Sequence, residues 1–198
     1  MTQPRRARIE RRTAESDVVV DVVIDGQGRA AIDTGVGMFD HLLGSLAKHG
    51  LFDLSIKATG DYHVDQHHTV EDIAICLGRA FHEALGDRRG IRRMAHAYVP
   101  LDEALAFVAV DIGGRPWWKL DLPFAADRIG TLNSQLVAHV LQSFVMESRM
   151  NLHAQIIRGA DDHHKAEALF KALARALDDA TQIDRRRERD IPSTKGVI

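Results

Sequence analysis

The sequence predicts an internally duplicated α+β fold, in which each half is a small sheet with two helices on one face. Its 198 residues, 45% hydrophobic and 27% charged, have the composition of a globular protein with a sizeable core. Residues 138–180 repeat the pattern of residues 40–86. Within both segments, hydrophobic residues change between the period of two typical of strands and the period of 3.6 typical of helices.

The repeat is clearest in its histidine and glutamate positions. The two copies are offset by 98 residues before a Gly-containing loop and by 96 residues after it. We therefore expect a first half over residues 1–90, a second half over residues 91–183, and a C-terminal tail over residues 184–198, all in one compact unit. The aligned pairs are His41 with His139, His67 with His163, His68 with His164, and Glu71 with Glu167.

The strands follow from β-branched runs and glycine turns. Residues 17–25 form such a run, and the turn Gly26–Gly28 separates it from a second short strand that ends near Asp33, which indicates a hairpin. In the second half, residues 103–111, the segment IGGRP and the segment WWKLDL follow the same order. A further strand is expected at residues 5–12 and at residues 91–98. The segments LSIKA and LHAQII also alternate as strands do.

Two helices are predicted in each half from the spacing of apolar residues. The helical period returns from His67 to Leu85 and from His163 to Ala180. The preceding helix of each half is predicted from apolar residues at positions 38, 39, 42, 43 and 46, and at positions 136, 137, 140, 141 and 144.

Composition excludes several classes of protein. The 26 Lys and Arg residues against 28 Asp and Glu residues give a net charge of −2, so a nucleic-acid partner is not expected. The single cysteine, Cys76, can form neither an intrachain disulfide nor a cysteine-based zinc site. No apolar run has the length of a membrane span, and the basic N-terminus leads into no signal sequence. We expect a soluble cytoplasmic protein without a membrane partner.

The histidines predict metal binding. Adjacent helical residues point about 100° apart, so His67 and His68 should serve different metals, whereas His67 and Glu71 lie one turn apart on one face. By symmetry the two copies supply three histidines and one glutamate per metal. In an octahedral ion this leaves two positions open for substrate or water, and the donors suit Mn, Fe, Co, Ni or Zn alike. One HHxxE segment alone would more often be structural, but two in matching context favour a metal site.

With these residues in view, the chain closely resembles the imidazoleglycerol-phosphate dehydratase family over its full length. The resemblance is carried by a series of motifs in order: RRTAES, FDHLLGSLAKHG, GDYHVDQHHTVED, GIRRM, PLDEAL, GGRP, LVAHVLQSF, DDHHKAEALFKALARAL and IPSTKG.

The resemblance implies a duplicated fold like domain 2 of ribosomal protein S5, two Mn²⁺ ions per active site, and trimers that assemble into a shell of 24 subunits with sites at subunit interfaces. It also implies a small-molecule phosphate substrate. The implied metal ligands are His41, His67, His68, Glu71, His139, His163, His164 and Glu167. The implied contacts to the substrate phosphate and its neighbouring groups are Arg93, Arg115, Lys171, Ser193 and Lys195, and Glu15 and His49 line the substrate.

The implied reaction is the dehydration of D-erythro-imidazoleglycerol phosphate to imidazole acetol phosphate in histidine biosynthesis. Because no carbonyl acidifies the carbon that loses the proton, a ring imidazolate stabilised by two metals would supply the electrons that expel the hydroxyl. Glu15, Glu71 or Glu167, with His49, are the candidates for proton transfer. The alternatives are a metal-binding structural shell protein and a metal-dependent phosphatase; the slightly acidic composition disfavours an RNA-binding module.

Overall fold

The computed structural model describes residues 4–198 and contains two four-stranded sheets, and each half of the chain contributes one sheet and two helices. The first half contains β1 (Arg6–Arg12), β2 (Ser16–Val23), β3 (Ala30–Asp33), α1 (Gly37–Gly50), β4 (Asp53–Gly60) and α2 (His67–Leu85). The second half contains β5 (Met94–Leu101), β6 (Ala104–Asp111), β7 (Trp117–Asp121), the short pair β8 (Arg128–Ile129) and β9 (Leu132–Asn133), α3 (Gln135–Ser148), β10 (Asn151–Arg158) and α4 (Asp162–Thr181).

The two sheets have the same topology. The strand order is β1-β2-β4-β3 in the first half and β5-β6-β10-β7 in the second. In each sheet the third strand of the order pairs antiparallel with one neighbour and parallel with the other. The predicted duplication is therefore confirmed at the level of strand order and direction.

The predicted hairpin between β2 and β3 is wrong, because β4 lies between these two strands. All eight residues of β2 pair with β4, from Ser16 opposite Gly60 to Val23 opposite Asp53. The Gly26–Gly28 turn does not reverse the chain onto β2. It wraps around the start of β4, where the Asp53 carboxylate accepts hydrogen bonds from the backbone of Gln27 and Arg29 at 2.8 and 3.0 Å. β6 and β7 are separated by β10 in the same way.

The helices lie where the apolar spacing predicts them, and carboxylates support the N-termini of the two long ones. Asp161 caps α4 and accepts from the backbone amides of His163 and His164. At the start of α2, Asp65 accepts from the amide of His67 at 2.7 Å. These contacts satisfy amides that have no partner inside the helix. The strand expected at residues 91–98 begins three residues later, at Met94.

The two halves share one core because their helices pack against each other. Helix α1 packs against α4, and α2 packs against α3. The ring of Phe81 in α2 lies 5.0 Å from that of Phe52 and 5.4 Å from that of Phe144 in α3, edge to face in both cases. Side chains at the starts of α2 and α4 are thereby brought to helices of the opposite half. Among residues 4–198, no helix has both the length and the hydropathy needed to cross a membrane.

Candidate active site

The first histidine–carboxylate cluster joins α2 of the first half to α3 of the second. It contains His67, Glu71 and His139, whose candidate ligand atoms all lie within 4.8 Å of one another. The Nε2 atom of His139 lies 3.2 Å from Glu71 Oε1, and that of His67 lies 3.9 Å from Glu71 Oε2. The two imidazole rings are 4.6 Å apart and tilted by 38°. Three donors therefore converge on one small space.

The second cluster is the repeat-related counterpart and joins α1 to α4. Glu167 Oε2 lies 3.0 Å from Nε2 of His41 and 3.2 Å from Nε2 of His163. The two rings are 5.2 Å apart. Each cluster thus takes its pair from one half and its remaining histidine from the other, an exchange that the repeat alone does not predict.

His68 and His164 point away from both clusters, as their position next to His67 and His163 predicts. The adjacent rings are close to perpendicular, at 76° and 85°. Nδ1 of His68 lies 2.9 Å from Asp61, and Nδ1 of His164 lies 2.8 Å from Glu103. Within one chain, each cluster therefore holds two histidines and one glutamate, one histidine fewer than the three histidines and one glutamate predicted for each metal.

Burial and neighbouring groups shift the pKa values of several ionisable side chains near the clusters. Burial acts to raise the pKa of Glu167, but hydrogen bonds from Lys171, at 2.7 Å, and from His41 outweigh it and lower the pKa to about 2. Burial and the nearby Lys171 ammonium lower the pKa of His49. Hydrogen bonds from the Asp161 amide and from His164 lower the pKa of Glu103 to about 2. Lys171 and His49, expected from the resemblance to contact substrate, thus lie beside the second cluster.

The donor atoms fit a divalent transition-metal ion. Nε2 of His139 is buried and makes no hydrogen bond within residues 4–198, although Glu71 lies beside it. A buried imidazole nitrogen without a hydrogen-bonding partner is unfavourable unless it has another ligand, and imidazole with carboxylate is a common donor set for such ions. A cavity of about 600 Å³ lined by His67 and His139 lies next to this cluster, so a small molecule can reach it.

The structure groups the other expected substrate residues in two separate places. Glu15 lies in the turn before β2, with Oε2 3.7 Å from Nδ1 of His68. Arg93 immediately precedes β5, where it pairs with Asp111 and donates to the carbonyl of Pro192 at 2.7 Å. A Cβ on Gly114, the residue before Arg115, would lie 3.0 Å from the carbonyl carbon of Ile198. The tail that carries Ser193 and Lys195 therefore lies against Arg93 and the loop of Arg115.

Asp61 and Glu103, the carboxylates that hold His68 and His164, were not predicted from the sequence. A signal for Glu103 exists, because Glu15 precedes β2 as Glu103 precedes β6, at an offset of 88 residues. That offset differs from the 96 and 98 residues that align the histidines, so the pairing is visible only once the strands are aligned.

Comparison with known proteins decides the family. The family model described as imidazoleglycerol-phosphate dehydratase matches residues 34–177. The chain belongs to the imidazoleglycerol-phosphate dehydratase family. Curated dehydratases of this family include those of Chloroflexus aggregans, 57% identical over 100% of this chain and 97% of that protein, and of Methanothermobacter thermautotrophicus, 53% identical over the full length of both.

Solved structures of imidazoleglycerol-phosphate dehydratases share the fold. That of Staphylococcus aureus has a TM-score of 0.82 at 34% identity and covers 90% of this chain and 99% of its own. That of Pyrococcus furiosus, in complex with (S)-C348, has a TM-score of 0.81 at 32% identity and covers 96% of this chain and 100% of its own. The fold and the family are therefore consistent, and the chain is a hydro-lyase.

Proposed function

We propose that this chain dehydrates D-erythro-imidazoleglycerol phosphate to imidazole acetol phosphate in histidine biosynthesis, in the cytoplasm, using two Mn²⁺ ions per active site. The observation that carries the proposal is the pair of repeat-related clusters, around Glu71 and around Glu167, the first of which presents a buried imidazole nitrogen that makes no hydrogen bond to the described residues. Two cations match a substrate ring that has two nitrogens to be stabilised.

His41, His163 and Glu167 would hold one ion, and His67, Glu71 and His139 the other. When bound, the cations supply positive charge that stabilises a deprotonated imidazole ring. His68 and His164 point away from the clusters of their own chain, so we propose that they complete the ligand sets of neighbouring subunits. This supports assembly into trimers and a shell of 24 subunits, with active sites at subunit interfaces.

Proton transfer would use carboxylates and a histidine near the clusters. Glu15 is 53% exposed and close to His68, so its carboxylate can reach a bound molecule and accept a proton. His49 lies beside Lys171, and its lowered pKa keeps it neutral and able to accept a proton near pH 7. Glu71 and Glu167 are weaker candidates because a bound cation would reduce their basicity.

The substrate phosphate would bind at cationic groups held by the second half and the tail. Arg93 fixes the tail through the carbonyl of Pro192, and Arg115 lies in the adjacent loop. Lys171, Ser193 and Lys195 would supply further donors. We propose residues 184–198 as a substrate-binding tail that accompanies the two halves, residues 1–90 and 91–183.

The test is turnover by purified protein that has been stripped of metal and then reloaded. We expect stripped protein to be inactive and Mn²⁺ to restore conversion of imidazoleglycerol phosphate to the ketone, detected by mass spectrometry. Mn²⁺ binding without turnover would indicate a structural shell protein instead. Release of inorganic phosphate from the same substrate would indicate a metal-dependent phosphatase.

A further inference from the structure

The repeat-related histidines His68 and His164 are held by carboxylates that are not repeat-related. Asp61, just after β4, contacts Nδ1 of His68 at 2.9 Å. Glu103, in the turn between β5 and β6, contacts Nδ1 of His164 at 2.8 Å. The same imidazole nitrogen is engaged in both halves, but from different elements.

The counterpart of Glu103 in the first half is Glu15, and the two residues have different surroundings. Oε1 of Glu103 accepts hydrogen bonds from the backbone amides of Ala160 and Asp161 at 3.1 and 2.8 Å. This leaves Oε2 to accept a hydrogen bond from His164. The Glu15 carboxylate makes no hydrogen bond to any of residues 4–198; its Oε2 lies 3.7 Å from Nδ1 of His68, in a group that also contains the Asp61 carboxylate. One of the two carboxylates is fixed by three contacts, and its counterpart is free to meet another molecule.

The second half has no carboxylate at the position of Asp61. The register shift between Ile156 and Arg158 in β10 places Gly159 opposite the start of β6, where Gly60 lies opposite the start of β2. A Cβ on Gly159 would lie 2.8 Å from Cγ of Lys165, and one on Gly60 would meet Thr69, the residue of α2 that corresponds to Lys165. The counterpart of Asp61 is therefore Ala160, whose methyl group cannot accept a hydrogen bond from His164. His164 therefore depends on Glu103.

We infer that Glu103 is a positioning residue for the metal ligand His164, and that Asp61 takes the same role for His68, which leaves Glu15 available for proton transfer. The inference rests on the proposed metal binding. A carboxylate on Nδ1 keeps the proton there, fixes the ring orientation and leaves the lone pair of Nε2 for a metal ion. Duplication thus produced two glutamates at one place in the fold with different tasks.

The experiment compares Glu103→Gln with its matched control Glu15→Gln in the full-length protein, by titration of metal-stripped samples with Mn²⁺ and detection of free Mn²⁺ by electron paramagnetic resonance. The amide side chain introduced by Glu103→Gln has one oxygen, so it cannot accept both the backbone amides and the His164 proton. We expect the Mn²⁺ affinity of this variant to fall about 10- to 100-fold, with excess Mn²⁺ restoring much of the turnover. Glu15→Gln should bind Mn²⁺ as the wild type does, and excess Mn²⁺ should not restore its turnover.

Asp61→Asn provides a second test that leaves the β5–β6 turn unchanged, and we expect a similar loss of Mn²⁺ affinity. Unchanged affinity in Glu103→Gln or Asp61→Asn, or an equal loss in Glu15→Gln, would overturn this inference and leave the proposed function intact. Wild-type protein that binds no Mn²⁺ would overturn both.

Discussion

The clusters around Glu71 and Glu167 occupy equivalent places in the two halves, yet their carboxylates have different surroundings. Glu167 is 16% exposed and forms an ion pair with the ammonium group of Lys171, whereas Glu71 is 37% exposed and its ion-pair partners within residues 4–198 are His67 and His139. The position in α2 that corresponds to Lys171 is Ile75. The duplication has therefore preserved the metal donors while giving a built-in cation to one cluster only, so the two clusters should respond differently to substitution.

The largest expected effect is the loss of either cluster carboxylate. Glu71→Gln or Glu167→Gln removes the one anionic donor of its cluster, which should reduce kcat/KM by at least about 10⁴-fold because a bound cation contributes several kcal/mol of transition-state stabilisation. Because the clusters would tie neighbouring subunits together, assembly should weaken as well. Turnover, metal content and analytical ultracentrifugation measure the three quantities. A fully assembled variant with normal metal content would contradict the link between metal binding and assembly.

The next effect concerns the helix pairs that carry the clusters. Phe81→Ala opens a cavity between α2 and α3 and should lower the free energy of unfolding by about 3–5 kcal/mol. Phe81→Leu is the matched control, because Leu177 occupies the equivalent position in α4 and is fully buried. Phe81→Leu should lower the free energy of unfolding clearly less than Phe81→Ala does. Denaturation of metal-stripped protein would measure both, and equal costs would mean that the aromatic contact is not what joins α2 to α3.

Lys171→Met tests the added cation directly. We expect KM for the substrate to rise about 10- to 100-fold, as for the loss of a hydrogen bond to a charged group. Mn²⁺ should bind no more weakly than to the wild type, and up to about fivefold more tightly, because a partly exposed charge contributes at most about 1 kcal/mol. Ile75→Met at the equivalent position is the control and should alter neither quantity. Weaker Mn²⁺ binding in Lys171→Met would show that Lys171 supports the metal rather than the substrate.

The smallest expected effect is a pH dependence of the protein's stability that arises from His82, in the first half. Near the end of α2, His82 Nδ1 accepts a hydrogen bond from Arg88 at 2.9 Å. The residue at the equivalent position in α4 is Asp178. Burial and the Arg88 charge lower the pKa of His82, so the unfolded chain binds more protons in mild acid than the folded chain does. Stability should therefore decline as the pH falls below about 6.5, the ordinary value for histidine, and level off below the folded pKa. Thermal melts from pH 8 to pH 5 should show a flatter profile for His82→Gln.

Local patterns in the sequence predict much of this fold. The helices follow from apolar residues at a period of 3.6, and α2 begins and ends at the predicted His67 and Leu85. The donors of both clusters follow from the repeat, because two copies of HHxxE in matching context are hard to explain without a shared chemistry. These features depend on residues close together along the chain.

The remaining features depend on pairings between distant residues. The strand that lies next to β2 is decided by the register of β4, about 35 residues further on, and nothing in the turn at Gly26 reveals it. Likewise, His41 reaches Glu167 only because α1 packs on α4, a contact between halves that the period of neither helix encodes. Glu103 was missed for the same reason, since its partner is 61 residues away.

The exchange of histidines between the halves has a consequence for the origin of the molecule. A chain that ended near residue 90 would carry His67 and Glu71 without His139, and His41 without Glu167. Two identical half-length chains, facing each other as the halves do now, would complete both sets at once. A half-length ancestor could therefore have held these donors together only as a dimer, and joining two copies in one gene would have made that pairing permanent.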